Sequence, residues 1–197
     1  MKITHNELPK LIGFAGTFAS GKDTIAEYLA DNENFLHIST GDIVREIARE
    51  KYGSIERPVL RKTADELRHE KGAGALVDEA VSRNKQADKI AISGIRALGE
   101  AKALKRAGGI LVFVDADPRI RYERMKNRQR DNETQLTFEE FLINEEKEME
   151  SGKSDADFNI RAISEMADIF VENNKTLKKF IANSLKKIAN FTEKAQK

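Results

Sequence analysis

The 197-residue chain contains no cysteine, which removes disulfides, thiolate catalysis and cysteine-based zinc sites together and agrees with a reducing compartment. No apolar run approaches the roughly 18 residues that cross a bilayer, and Met1 to Pro9 holds one lysine and no apolar core of signal-peptide length. The expectation is a cytoplasmic protein without a membrane partner. Charge of one sign is lacking too. Lys plus Arg number 34 against 33 Asp plus Glu, a net charge of +1, so no global field favours nucleic acid and any basic site has to be local. Repeats, low-complexity tracts and composition breaks are absent, and Gly72-Ala-Gly-Ala is too short to serve as a linker between domains. One domain over residues 1–197 is expected.

What is there is alternation. Apolar runs at 11–15, 35–38, 89–93, 110–114 and 168–172 are separated by helical patterns. That order predicts an α/β fold in three layers, a five-stranded parallel sheet with helices on both faces. Right-handed crossovers bring the strand C-terminal ends to one edge, so the loops at 16–24, 39–45, 93–96, 115–121 and 172–175 are where a ligand is expected.

The first of these loops carries the most chemistry. Leu11-Ile-Gly-Phe-Ala leads into Gly16, four residues follow, then Gly21-Lys22, and Thr24 opens a helical pattern. This is the strand, glycine-rich loop and helix of a P-loop. The backbone over Gly16, Thr17, Ala19, Ser20 and Gly21 is expected to turn N–H groups toward a phosphate chain, with the helix dipole behind them. Lys22 is expected to reach the outer phosphates from an exposed position, so that its removal leaves the fold intact. ATP with magnesium is the implied ligand. Asp23 stands where a Ser or Thr hydroxyl would normally ligand the metal, so either Asp23 holds it, directly or through water, or Thr24 takes part.

After the second run, Ser39 or Thr40 can cap a helix, with Asp42 in its first turn and Arg45 one turn on. On the same sheet edge as the P-loop, Asp42 can accept a proton or hold magnesium through water, and Arg45 can present its fork to an anion. Residues 55–85 predict two helices with no strand between them. Asp117 and Pro118 mark a helix start after the fourth run, and Arg119, Arg121, Arg124, Arg128 and Arg130 follow within twelve residues. Arg124 and Arg128 share one face, and a triphosphate is the anion that would explain the cluster. The polar stretch after Asn127 and the helix with apolar residues at 138, 141 and 142 read as a short lid over 127–155. The C-terminal 175–197, with seven lysines and one glutamate, reads as a basic amphipathic helix packed on the outer sheet face.

These residues resemble the nucleoside monophosphate kinases. Ile38-Ser-Thr-Gly-Asp-Ile-Val-Arg45 is similar to the stretch after the second strand of adenylate kinases, Gly21-Lys-Asp-Thr24 to the loop of viral-type deoxynucleoside monophosphate kinases, and Ala167-Asp-Ile-Phe-Val-Glu-Asn-Asn174 to the last strand of dephospho-coenzyme A kinases. The resemblance implies ATP-dependent phosphoryl transfer to a small nucleotide acceptor. It gives Thr40, Arg45, Arg68 and Arg96 acceptor contacts, the 55–85 helices a covering role, Arg124 and Arg128 the clamp on the transferring group, and Asn174 a place beside the ATP base. In adenylate kinases an acid closes the third strand where Ser93 stands here, so the magnesium role is expected to pass to Asp23, Asp42 or water. Two alternatives stay open: a dephospho-coenzyme A kinase with Asp42 as general base, and an ATP-binding regulatory module without turnover. A monomer or homodimer is compatible with either.

Overall fold

A computed structural model of the chain describes residues 8–128, 136–149, 152 and 154–195. Its elements run β1 (Leu11–Gly16), α1 (Lys22–Glu33), β2 (Leu36–Ser39), α2 (Thr40–Tyr52), α3 (Arg57–Lys71), α4 (Ala75–Arg83), β3 (Ile90–Ile95), α5 (Leu98–Arg106), β4 (Ile110–Asp115), α6 (Pro118–Asn127), α7 (Phe138–Met149), α8 (Ile160–Met166), β5 (Ile169–Glu172) and α9 (Leu177–Ala195). The five strands pair in parallel in the order β2-β3-β1-β4-β5, with β1 in the centre. All five expected strands lie within a residue or two of their predicted places.

The apolar runs are continuous because both faces of the sheet are covered. Ile12 and Phe14 of β1 enter a core with Ile25 and Leu29 of α1 and Phe180, Leu185 and Ile188 of α9. Ala15, Ile92 and Ile95 enter the opposite core, with Val44 of α2, Leu67 of α3, Leu76 of α4, Leu104 of α5 and Ile163 of α8. The expected seat of the basic C-terminal helix is therefore found. A smaller third cluster joins Ala19 of the loop after β1 to Met125 of α6 and Phe141 of α7, with Phe18, Tyr122, Leu136 and Phe138 packed around it.

The expected caps are only partly realised. Asp117 accepts from the backbone N–H of Arg119 at 2.9 Å, with Pro118 at the first turn of α6. Ser39 occupies the N-cap of α2 but makes no capping bond. Thr40, the other expected cap, is buried and instead donates its hydroxyl to the carbonyl of Gly94 at 2.9 Å, tying α2 to the end of β3. On α7, Leu142 is exposed rather than inward, because the helix turns Phe138, Phe141 and Glu145 toward α6, a stripe at helical spacing that leaves Leu142 off the face.

Candidate active site at the strand ends

The loop from Gly16 to Gly21 closes the C-terminal end of β1 and opens α1. Gly16 has φ +147° and a Cβ there would fall on the carbonyl oxygen of Val114; Gly21 has φ +97° and caps α1. Both backbone states are costly for other residues. No side chain caps α1, so its first N–H groups are left toward the loop. The buried Ser20 hydroxyl has no hydrogen-bond partner among the described residues. Free first-turn amides, an unpartnered buried hydroxyl and a helix N-terminus together fit an anion of phosphate geometry.

Lys22 is not exposed as expected. Only 6% of its surface is accessible, and its Nζ donates to the Thr17 carbonyl at 3.3 Å. The lysine begins the helix and curls back under the loop, so the loop itself covers it. Burial, reinforced by the like charge of Arg96, pushes its pKa down to about 8. Thr17 is also pinned, donating to Asp115 Oδ1 of β4 at 2.6 Å.

Asp23 is partly buried beside this lysine, and the Ser93 hydroxyl lies 2.9 Å from His37 Nε2. Burial pushes its carboxyl up, but the Lys22 ammonium, the Ser93 hydroxyl, His37 and Arg96 outweigh that and hold it below the usual carboxylate range. Thr24 follows it in the first turn of α1, also partly buried. Asp42 lies apart in character: it is exposed and takes a 2.6 Å ion pair from Arg45 on its own helix. The described residues contain no group of three or more His, Asp or Glu side chains that could hold a metal. A protein-only magnesium cage is therefore not built among them, whereas one carboxylate, Asp23, completed by substrate phosphates and water, fits the way this ion is usually held.

The arginine cluster divides. Arg124 donates to the Asn173 carbonyl at 2.9 Å and reaches the Ser20 carbonyl at 3.5 Å, and burial lowers its pKa. The Arg128 guanidinium lies 5.3 Å from the Phe18 ring centre. Both expected clamp residues thus stand beside the phosphate loop. Arg121 differs, because its counter-anion is internal: it is buried, ion-paired with Glu145 of α7, 3.6 Å from Asp115, and donates to the Ala116 carbonyl. Arg119 is exposed and lies over Phe138. Arg130 and most of the expected lid tip, residues 129–135, lie outside the described residues, as do 150, 151 and 153.

On the other side of the P-loop, Arg96 faces Glu148 of α7 at 3.8 Å, not Glu100, whose carboxylate accepts from the backbone N–H of Arg96 and Ala97. Arg68 is buried against Glu100 at 3.0 Å, and the guanidiniums of Arg68 and Arg96 both lie over the Phe158 ring, at 5.5 and 5.7 Å from its centre. Arg68 therefore has a carboxylate partner of its own, which sequence spacing did not reveal. Asn174 accepts from the Asp117 N–H at 2.7 Å, and its neighbour Asn173, buried, donates to the Ser20 carbonyl at 2.8 Å. The loop of Asn173 and Asn174 is the one the resemblance sets beside the ATP base, whereas Asp115 and Ser93 were left without a role by sequence reasoning; their position at strand ends was the available signal.

Residues 12–168 match the family model described as AAA domain. A UPF0200 protein of Pyrobaculum aerophilum is 32% identical over 147 residues, 74% of this chain and 80% of that protein. Another, of Methanococcus vannielii, is 32% identical over 180 residues, covering 88% and 92%. Among solved structures, a gluconokinase from Sinorhizobium meliloti 1021 superposes with a TM-score of 0.59 over 96% of this chain and 97% of its own, at 17% identity. A shikimate kinase from Acinetobacter baumannii in complex with shikimate gives 0.57 over 91% and 92%, at 19% identity. At such identities the likeness is one of fold.

Proposed function

Since the chain belongs to the AAA domain family of P-loop NTPases and to the UPF0200 proteins, we propose that it transfers a phosphoryl group from ATP to a small nucleotide acceptor, a nucleoside or deoxynucleoside monophosphate. The observation that carries the reading is the phosphate cradle itself: uncapped α1 amides, the unpartnered Ser20 hydroxyl and buried Lys22, with Arg124 and Arg128 beside the same loop. Little covalent chemistry is asked of a phosphoryl-transfer enzyme, so positioning and charge stabilisation suffice.

In this mechanism the loop from Gly16 to Lys22 binds the ATP phosphates, and Asn174 and its neighbour border the nucleotide. Lys22, Arg124 and Arg128 hold the transferring group as charge moves to the leaving oxygens. Asp23, with Thr24 next to it, would hold magnesium, which when bound neutralises phosphate charge. Arg45 and Arg96 receive the acceptor phosphate by exchanging their carboxylate partners, Asp42 and Glu148, for it, while Thr40 holds the turn of α2 against β3. Arg68 acts behind them through Phe158. Asp42 is exposed to solvent, which suits an acceptor that brings its own ionised nucleophile better than one whose hydroxyl needs a base.

A coupled ADP-release assay over an acceptor panel tests the reading. Nucleoside and deoxynucleoside monophosphates are expected to raise ADP release well above the water background, while dephospho-coenzyme A, gluconate and shikimate leave it there. Fastest turnover with dephospho-coenzyme A would transfer the assignment to that acceptor. ATP binding with no acceptor-dependent release would make the protein a nucleotide-sensing module.

A further inference from the structure

One residue of the phosphate loop is held in a backbone state that its side chain disfavours. Ala19 has φ +59°, in the left-handed region that residues other than glycine avoid. Among the described residues Asn34 alone shares this without being glycine, and it caps the end of α1, where asparagine is tolerated. A strained residue persists only where its surroundings over-determine it. Around Ala19 those surroundings are α6 and α7. Its buried side chain packs with Met125 and Phe141, and the carbonyl just before it, that of Phe18, accepts from Arg121 Nη1 at 3.3 Å. We propose that Arg121 is the positioning residue of the phosphate loop, and that α7, by gripping Arg121 through Glu145, holds the loop in its strained, nucleotide-ready form. This rests on the nucleotide-binding reading above and adds to it the contact that keeps the cradle set.

The guanidinium is placed for this role. Arg121 is 3% exposed, and its Nε donates to the Ala116 carbonyl just after β4 at 2.7 Å, which fixes the side chain to the sheet. Nη1 and Nη2 form a fork on the Glu145 carboxylate, Nη2 at 2.9 Å, and Nη1 also serves Phe18. In a trans peptide the C=O and N–H point opposite ways, so holding the Phe18 oxygen sets the direction of the Ala19 N–H. Asp115, 3.6 Å from Arg121 Nε, secures the residue before: its Oδ1 accepts from the Thr17 hydroxyl at 2.6 Å, and the Thr17 carbonyl accepts from Lys22. Two successive loop residues thus depend on one buried cluster whose outermost member belongs to α7. With the grip of α7 loosened, Ala19 is free to relax toward negative φ, its N–H swings away, and the affinity for nucleotide falls with the fraction of loops left ready.

The test is a double-mutant cycle on the binding of a non-hydrolysable ATP analogue, measured by calorimetry. Arg121→Lys keeps the charge and loses the fork. In the wild-type background it should weaken binding roughly 5- to 30-fold, the factor by which a residue with a Cβ is driven out of the left-handed region. Glycine occupies that region freely, so the same exchange made on Ala19→Gly should lose most of its cost. An arginine with a merely structural role would cost the same in both backgrounds. No loss in Arg121→Lys, or a loss on Ala19→Gly that is greater or equal to within about twofold, would overturn the proposal while leaving nucleotide binding in place. Absence of analogue binding by the wild-type chain would instead overturn the nucleotide reading, and the proposal with it. Thermal melts establish that each variant is folded. Should Arg121→Lys not fold, Glu145→Gln, which loosens the same fork from α7, replaces it in both backgrounds with the same readings.

Discussion

Lys22 shows how burial converts a motif residue into a titrating one. Its folded pKa of about 8 lies below the ordinary 10.5, so between those values the unfolded chain binds a proton that the folded chain does not. Stability therefore rises with pH across that window, and the charged lysine below it is a cost to the fold. A phosphate beside Lys22 favours the charged form and raises the pKa again. Nucleotide binding at pH 8.5 should accordingly take up a substantial fraction of a proton from solution. Calorimetry in buffers of different ionisation enthalpy measures it, and Lys22→Met should show no such uptake; equal uptake by both proteins would locate the titration elsewhere. The identity of Lys22 was legible in the loop spacing alone. Its burial was not, because the carbonyl that covers it depends on how the loop folds back over the helix start.

At the scale of elements, the strands and most helices were legible because each announces itself within its own residues: apolar runs for a sheet covered on both faces, a cap and proline for α6, helical spacing for α3 and α4. What could not be read was pairing between elements. Arg121 looks like one more basic residue of a cluster, yet it is the post to which α7 is tied through Glu145, with Phe141 packed beside it. The expected lid helix is thus anchored to α6 beside the loop it would cover. Glu145→Gln leaves a buried guanidinium without its main counter-charge, a loss of about 3 kcal/mol on the scale of broken buried pairs. For a chain of this length that is roughly a 6–12 °C drop in Tm. Differential scanning calorimetry checks it, and a drop under about 2 °C, the range of exposed pairs, would show that α7 is not held by this contact.

At the scale of the whole molecule, the alternation of apolar runs with helical patterns said which sheet edge to inspect. The strand order, β2-β3-β1-β4-β5, could be expected only as a class, since the neighbours of β1 are set by contacts distant in the chain. That order has a bearing on how the protein is made. The phosphate loop is the first segment of the site to emerge from the ribosome, but its strand waits for β3 and β4, and its last turn waits for Asn173, whose amide donates to the Ser20 carbonyl at 2.8 Å and whose own carbonyl receives Arg124. Contacts so far apart in sequence form late. A nascent chain stalled with Asn173 still inside the exit tunnel should gain no protection from protease when ATP is added, whereas one stalled after α9 has emerged should be protected as the released protein is. Protection of the shorter chain would mean that the loop closes without its clamp. The phosphate loop is thus among the last regions of this molecule to be completed, and a chain cut short in synthesis before Asn173 lacks the contact that closes the loop's last turn.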